Sequence, residues 1–128
     1  MQNKNFIKDV NNDIISKENI LKTLYLLKAQ EIVSMNMGQL PNSICDFFII
    51  AHGTSSLQVR SIAENLIYEL RNHFCYRPHH VEGLQNAEWI LIDYGDIVIH
   101  LFLESSRRFY DLESLWADTT IEKFDELL

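Results

Sequence analysis

The segment His79-His80-Val81-Glu82 has the composition of a partial metal site. Side chains alternate along an extended strand, so His80 and Glu82 point the same way there and could share one cation. The other histidine of interest, His100, is distant, and no second cluster has ligand spacing. These histidines therefore read as surface or structural residues, and no metal is expected. Asp93 and Asp96 are the next candidates. Two carboxylates one residue apart on a strand can hold a pair of metal ions, but these are three apart and straddle Tyr94-Gly95. Gly53-Thr54-Ser55-Ser56 resembles a phosphate-cradling loop, yet it has one glycine and no Gly-Lys-Ser/Thr ending. A helix N-terminus there would still favour an anion. No serine sits in Gly-x-Ser-x-Gly, and neither cysteine carries a nucleophile signature. No catalytic residue is assigned, no cofactor is expected, and the chain reads as a binder and not an enzyme.

The elements that must position these residues follow from hydrophobic periodicity. Ser16 can cap a helix whose Ile20, Leu21, Leu24, Leu27 and Ile32 recur at helical spacing, ending near Gly38 and Pro41. Residues 46–51 form a short apolar run expected as a strand buried on both faces. Gly53 ends it, and a helix capped by Thr54, Ser55 or Ser56 follows, with Leu57, Ile62, Leu66, Leu70 and Phe74 as its stripe. That helix stops before Arg77-Pro78. Strands are expected over 79–82, 89–93 and 96–103. A helix over 105–116 should then bury Phe109, Leu112 and Trp116, and Thr119 with Glu122 has capping-box spacing for a last short helix. The order αβαβββαα implies an α/β or α+β fold, a mixed sheet of about five strands flanked by helices. Residues 1–15 are polar and expected to be a loosely ordered extension, with one domain over 16–128.

Composition narrows the function. The chain has 128 residues, 47% apolar and 23% charged, ordinary values for a single soluble domain. No apolar run is long enough to cross a bilayer, and no signal or transit sequence is evident, so the expectation is cytoplasmic, with no membrane partner. Cys45 and Cys75 read as small buried hydrophobes. The net charge of −7, with only 11 Lys and Arg, argues against phosphate-backbone binding. Little direct nucleic-acid contact is expected, and a basic protein is the better partner.

With Tyr94-Gly95 as a two-residue hairpin loop, Asp93 would face Asp96, Leu91 would face Val98 and Trp89 would face His100. One face then holds Ile90, Ile92, Ile97, Ile99, Leu101 and Leu103. The other mixes Trp89, Leu91, Asp93, Asp96, Val98, His100 and Phe102. Opposed aspartates repel, which suits either solvated turn residues or a cation lying between them.

Several stretches carry a resemblance: Asp46-Phe-Phe-Ile-Ile-Ala with Gly53, Gln58-Val59, Arg77-Pro-His-His-Val-Glu-Gly-Leu84, Glu88-Trp-Ile-Leu-Ile-Asp-Tyr-Gly-Asp-Ile-Val-Ile-His100 and Phe109-Tyr-Asp-Leu-Glu-Ser-Leu-Trp116. In this order and at these intervals they resemble the ribosomal silencing factor (RsfS, Iojap-like) family over residues 18–118. The resemblance implies a nucleotidyltransferase-like fold that lacks its catalytic carboxylates. It implies binding to the fourteenth protein of the large ribosomal subunit, which blocks subunit joining and lowers translation when nutrients are short. Combined with the mixed hairpin face, it gives Glu82, Gly83, Leu84, Trp89, Asp93, Tyr94, Asp96 and His100 as the expected contact residues, with Trp89 and Tyr94 as anchors. Trp116 is expected in the core. The alternatives are a large-subunit assembly factor and a metal-dependent nucleotidyltransferase using Asp93, Asp96 and His80. A homodimer formed through an apolar sheet edge is also compatible with the sequence.

Overall fold

The computed structural model describes residues 15–124, so most of the expected N-terminal extension lies outside the described residues. Helix α1 (Lys17–Leu26) buries Ile20, Leu21 and Leu24, and the Ser16 carbonyl accepts from the Asn19 and Ile20 amides. It ends at Leu26, twelve residues before Gly38, where its periodicity suggests an end. Lys28 takes a left-handed conformation, φ 71°, and the chain turns into strand β1 (Gln30–Asn36). Ile32 then joins the core on one side of the sheet while Val33 joins the core on the other. Adjacent residues buried in opposite directions require a strand. A one-turn 3-10 helix over Met37–Gln39 follows.

Strand β2 (Phe47–Gly53) is buried on both faces, as its unbroken apolar run requires. Ser55 caps helix α2 (Ser56–Phe74), its hydroxyl accepting from the Gln58 amide at 3.1 Å. Val59, Ile62, Ala63, Leu66 and Leu70 form the buried stripe, whereas the expected Leu57 lies exposed one turn too early. Cys75 closes the helix in a left-handed conformation and is exposed, so only Cys45 is the buried hydrophobe expected of both.

Strands β3 (His80–Glu82), β4 (Trp89–Asp93) and β5 (Ile97–Leu103) follow, then helices α3 (Glu104–Tyr110) and α4 (Leu112–Leu115) and strand β6 (Ile121–Lys123). The sheet order is β3-β4-β5-β2-β1-β6, with β2 and β5 parallel and every other pair antiparallel. Six strands thus replace the expected five or so, because two segments read as helix are strands. The second is β6: the Thr119 hydroxyl and amide both bond the Trp116 carbonyl, closing a turn and not capping a helix.

The hairpin register differs by two residues from that of a two-residue loop. Trp89 faces Phe102, Leu91 faces His100 and Asp93 faces Val98. An even shift preserves the sidedness of every residue, so both faces have the composition the sequence implies. Ile90, Ile92, Ile99 and Leu101 pack under α1 and α2 in the larger core. The opposite face is covered by α3 and α4 over β2 and β5, with Arg107 reaching β1 and Tyr110 touching Trp89 of β4.

The expected continuous helix over 105–116 is broken at Asp111, φ 47° and ψ 55°, which resets the helical phase. Leu112 is therefore buried and Trp116 packs edge-on against Phe48, while Phe109 is 80% exposed.

Arg107 fixes α3 to the sheet and is itself 3% exposed. Glu31, φ 48°, forms a bulge where the β1–β2 register shifts. The Arg107 Nη1 group donates to the bulge carbonyl of Glu31 at 2.8 Å and to His52 Nδ1 at 2.9 Å, and Nη2 donates to Glu113 at 2.6 Å. Removing one side of such a buried network strands the other. Arg107→Ala should lower the unfolding free energy by about 3 kcal/mol or more in a denaturant titration. A loss under about 1 kcal/mol would show that water replaces the guanidinium.

Candidate functional site

The β3–β4 end of the face carrying α3 and α4 is left open. Glu82 pairs with Leu91 and His80 with Asp93, so these four share that face with Trp89. A groove of about 290 Å³ is lined by Glu82, Gly83, Trp89 and Leu91. Gly83 shapes one wall. Its φ is +88°, and a Cβ there would lie 2.1 Å from the Trp89 carbonyl oxygen. Only glycine lets the chain leave β3 against the start of β4. Arg60 of α2 braces the loop, donating from Nε to the Leu84 carbonyl at 2.9 Å and from Nη2 to the Gln85 carbonyl at 2.6 Å. Leu84 itself packs toward the larger core under the helices and is only half-buried.

Trp89 is the half-buried centre of an aromatic cluster. Its ring centroid lies 4.9 Å from Phe102 and 4.8 Å from Tyr110, and Tyr110 meets Phe109 edge-on at 5.1 Å. Trp89 Nε1–H donates to His100 Nδ1 at 3.1 Å. Burial pushes the His100 imidazole down to about 4, so it is neutral at pH 7. The groove thus continues into an aromatic ridge ending at exposed Phe109 and Tyr110, 80% and 51% accessible.

The sequence-derived site residues divide into three groups. Glu82, Gly83 and Trp89 come together in the groove. Asp93 and Asp96 do not oppose one another: Asp93 Oδ1 accepts from the Gly95 amide at 2.7 Å, and Asp96 Oδ1 accepts from the Tyr76 hydroxyl at 3.0 Å. Each carboxylate shapes the turn, and Asp96 remains exposed. Tyr94 is corrected as an anchor. It is 3% exposed, stacked on Tyr76 at 4.3 Å, and burial raises its pKa. It has almost no surface to offer a partner. His100, expected as a contact residue, is 4% exposed and likewise has almost no surface to offer. Leu91, Phe109 and Tyr110, outside the contact set expected from the sequence, line the same groove and ridge. Two adjacent aromatics cannot both lie at the centre of one buried helical stripe, and that was the available signal.

Chemistry fares less well. His80 pairs with Glu82 on the surface, and His79 lies against Gly95. Gln58 Oε1 accepts from the Thr54 amide at 2.7 Å and the Thr54 hydroxyl at 3.1 Å, and the Ser55 hydroxyl takes the Gln58 amide, so these loop donors are already partnered. Among the described residues, Glu31, His52 and Glu104 form the group compact enough to surround a cation. His52 Nε2 stands 4.0 Å from each carboxylate. However, Arg108 donates to both, at 2.9 and 3.3 Å, and Arg107 donates to His52 Nδ1. A ring accepting at Nδ1 carries its hydrogen on Nε2, leaving no lone pair there for a metal. This is an ion network joining β1, β2 and α3.

Residues 11–127 match the family model described as ribosomal silencing factor during starvation. The chain belongs to the ribosomal silencing factor family. A ribosomal silencing factor RsfS from Halalkalibacterium halodurans is 41% identical over 96 residues, covering 74% of this chain and 80% of that one. A Mus musculus protein named mitochondrial assembly of ribosomal large subunit protein 1 is 34% identical over 85 residues, 65% of this chain and 36% of that one. A crystal structure of a Chromobacterium violaceum protein superposes with a TM-score of 0.73 at 29% identity, covering 79% of this chain and 82% of that one. In this ribosomal silencing factor family member, the groove is built from the Val-Glu-Gly-Leu and Glu-Trp-Ile-Leu-Ile-Asp stretches, and the ridge from Phe-Tyr-Asp-Leu.

The buried imidazole gives the site a pH dependence. The His100 pKa, about 4 when folded, lies below its ordinary 6.5. Stability is therefore full above pH 6.5 and falls as acidification protonates the unfolded chain first, down to the folded value. The loss across this window is about 3 kcal/mol. His52, lowered by burial and then by Arg107, acts in the same direction. Denaturant midpoints at pH 7 and pH 4.5 should differ clearly for the wild type and less for His100→Phe. Equal differences would mean that His100 is accessible to protons.

Proposed function

We propose that this chain docks through the Trp89 groove and the Tyr110–Phe109 ridge onto the fourteenth protein of the large ribosomal subunit, and that the bound domain sterically blocks the small subunit. The observation that carries this reading is an aromatic surface left open on a member of the ribosomal silencing factor family. Buried interface centres favour Trp and Tyr, surrounded by a polar rim. Here Trp89, Leu91, Tyr110 and Phe109 supply the centre, with Glu82 and Asp96 on the rim. A net charge of −7 suits a basic ribosomal protein and disfavours direct contact with RNA.

A steric block needs only occupancy, so no chemistry is required of the chain, and potency should follow residence time. Repression would act in the cytoplasm during nutrient limitation, in keeping with the family description. A second reading, assistance to large-subunit assembly, is favoured by the likeness to the mouse mitochondrial assembly protein. Depletion separates the two: precursor particles would accumulate if assembly dominates, and starved cells with normal particles would overtranslate if silencing does.

Co-sedimentation with isolated large subunits tests the docking face. Trp89→Ala and Tyr110→Ala should each weaken binding by about 2 kcal/mol, roughly 30-fold. Wild-type affinity in both folded variants would place the interface elsewhere. Asp96→Lys should slow association and change its salt dependence, and an unchanged salt profile would remove Asp96 from the rim.

A further inference from the structure

We infer that His100 is a positioning residue for docking: through its hydrogen bond to the Trp89 indole it sets which edge of that ring a partner meets. The inference rests on the docking reading, and it moves His100 from the contact surface to the layer beneath. At 4% exposure its ring cannot touch a partner. Among the described residues its one polar side-chain partner is Trp89, whose Nε1–H reaches Nδ1 at 3.1 Å. The residues lie diagonally across β4 and β5, since Leu91 is the one that faces His100.

His100 is otherwise a poor choice for this position. Its Nε2 is buried with no hydrogen-bond partner among the described residues, and the ring sits 4.5 Å from Phe48 in an apolar layer with Phe102 and Val98. A buried polar atom left unpaired is destabilising, and an apolar ring of the same shape would avoid that. What an apolar ring could not supply is an acceptor at the Nδ1 position. Because Trp89 donates there, the ring hydrogen resides on Nε2, and Nδ1 stays a standing acceptor.

The other contacts of the indole are tilted aromatic ones, 32° to Phe102 and 48° to Tyr110. Such contacts tolerate rotation in plane, whereas a hydrogen bond does not. With its N–H edge turned inward, Trp89 offers a partner its π face and hydrocarbon edge. That surface fits an aliphatic side chain or the stem and cation of Lys or Arg. It does not fit a carbonyl seeking a donor. The recognised element is thus a basic, aliphatic segment of the partner protein.

The test pairs His100→Phe, which keeps the ring and removes the acceptor, with His100→Asn, whose Oδ1 occupies the Nδ1 position. Trp89→Ala is the control and identifies the Trp89 indole proton in the NMR spectrum. In His100→Phe that proton should move toward the solvent-exposed position and exchange faster, and binding to large subunits should weaken about tenfold. His100→Asn should hold the proton in place and bind within about threefold of wild type. If the larger ring does not fold, His100→Leu takes its place. A protected indole proton in the Phe or Leu variant, or wild-type binding there while Trp89→Ala loses it, overturns the inference. Wild-type binding by Trp89→Ala overturns the docking reading and this inference with it, and the indole resonance still reports whether the bond exists.

Discussion

The Arg107 guanidinium, buried between β1, β2 and α4, is the interaction on which the arrangement of this fold's second face depends. The bulge at Glu31 turns carbonyls out of the β1–β2 ladder, and the helices after β5 need a fixed point on the sheet. One side chain meets both needs, taking the bulge carbonyl of Glu31, the His52 ring and the Glu113 carboxylate together. A guanidinium suits the task because its planar fork can address several acceptors at once. Arg108 ties the neighbouring surface with Glu31 and Glu104. The resemblance of this cluster to a cation site follows from the same fact, since the arginines already supply the positive charge.

Once α3 is held there, Tyr110 is delivered beside Trp89 of β4, and the groove next to β3 is left open. The sheet is thereby asymmetric. One face is sealed by two helices over a continuous aliphatic core, and the other is sealed at one end and open at the other. The open end is where backbone constraint concentrates: Gly83 at positive φ, the Arg60 brace beneath its loop and the paired Tyr76 and Tyr94 rings behind the hairpin turn. Rigid support of this kind limits the ordering that a docking surface must undergo on binding.

Much of this was legible in the sequence. Strand β2, helix α2 and the hairpin announced themselves through apolar runs, a serine cap and a glycine turn. The sidedness of the hairpin survived an error of register because that error was an even number of residues. Strand β1 was hidden by coincidence, since Ile32 falls in phase with the helix before it and the break comes at Lys28 where no glycine marks it. The break at Asp111 was similarly silent, and it reversed the fate of Phe109. For the candidate site, residue type pointed to Trp89 and Glu82 but could not separate a contact residue from one buried behind it. Tyr94 and His100 look interface-like in composition, and only their depth in the fold tells otherwise.

The brevity of β3 has a consequence for the behaviour of the protein at high concentration. An open apolar groove beside an unprotected strand edge would invite one molecule to extend the sheet of the next, and growing fibres are the outcome of unchecked edge pairing. Here the edge strand spans three residues, two of them the charged or polar His80 and Glu82, and Gly83 bends the chain away at once. A neighbouring strand would find too few backbone groups in line to hold it. This edge therefore offers little template for strand pairing beside the exposed groove.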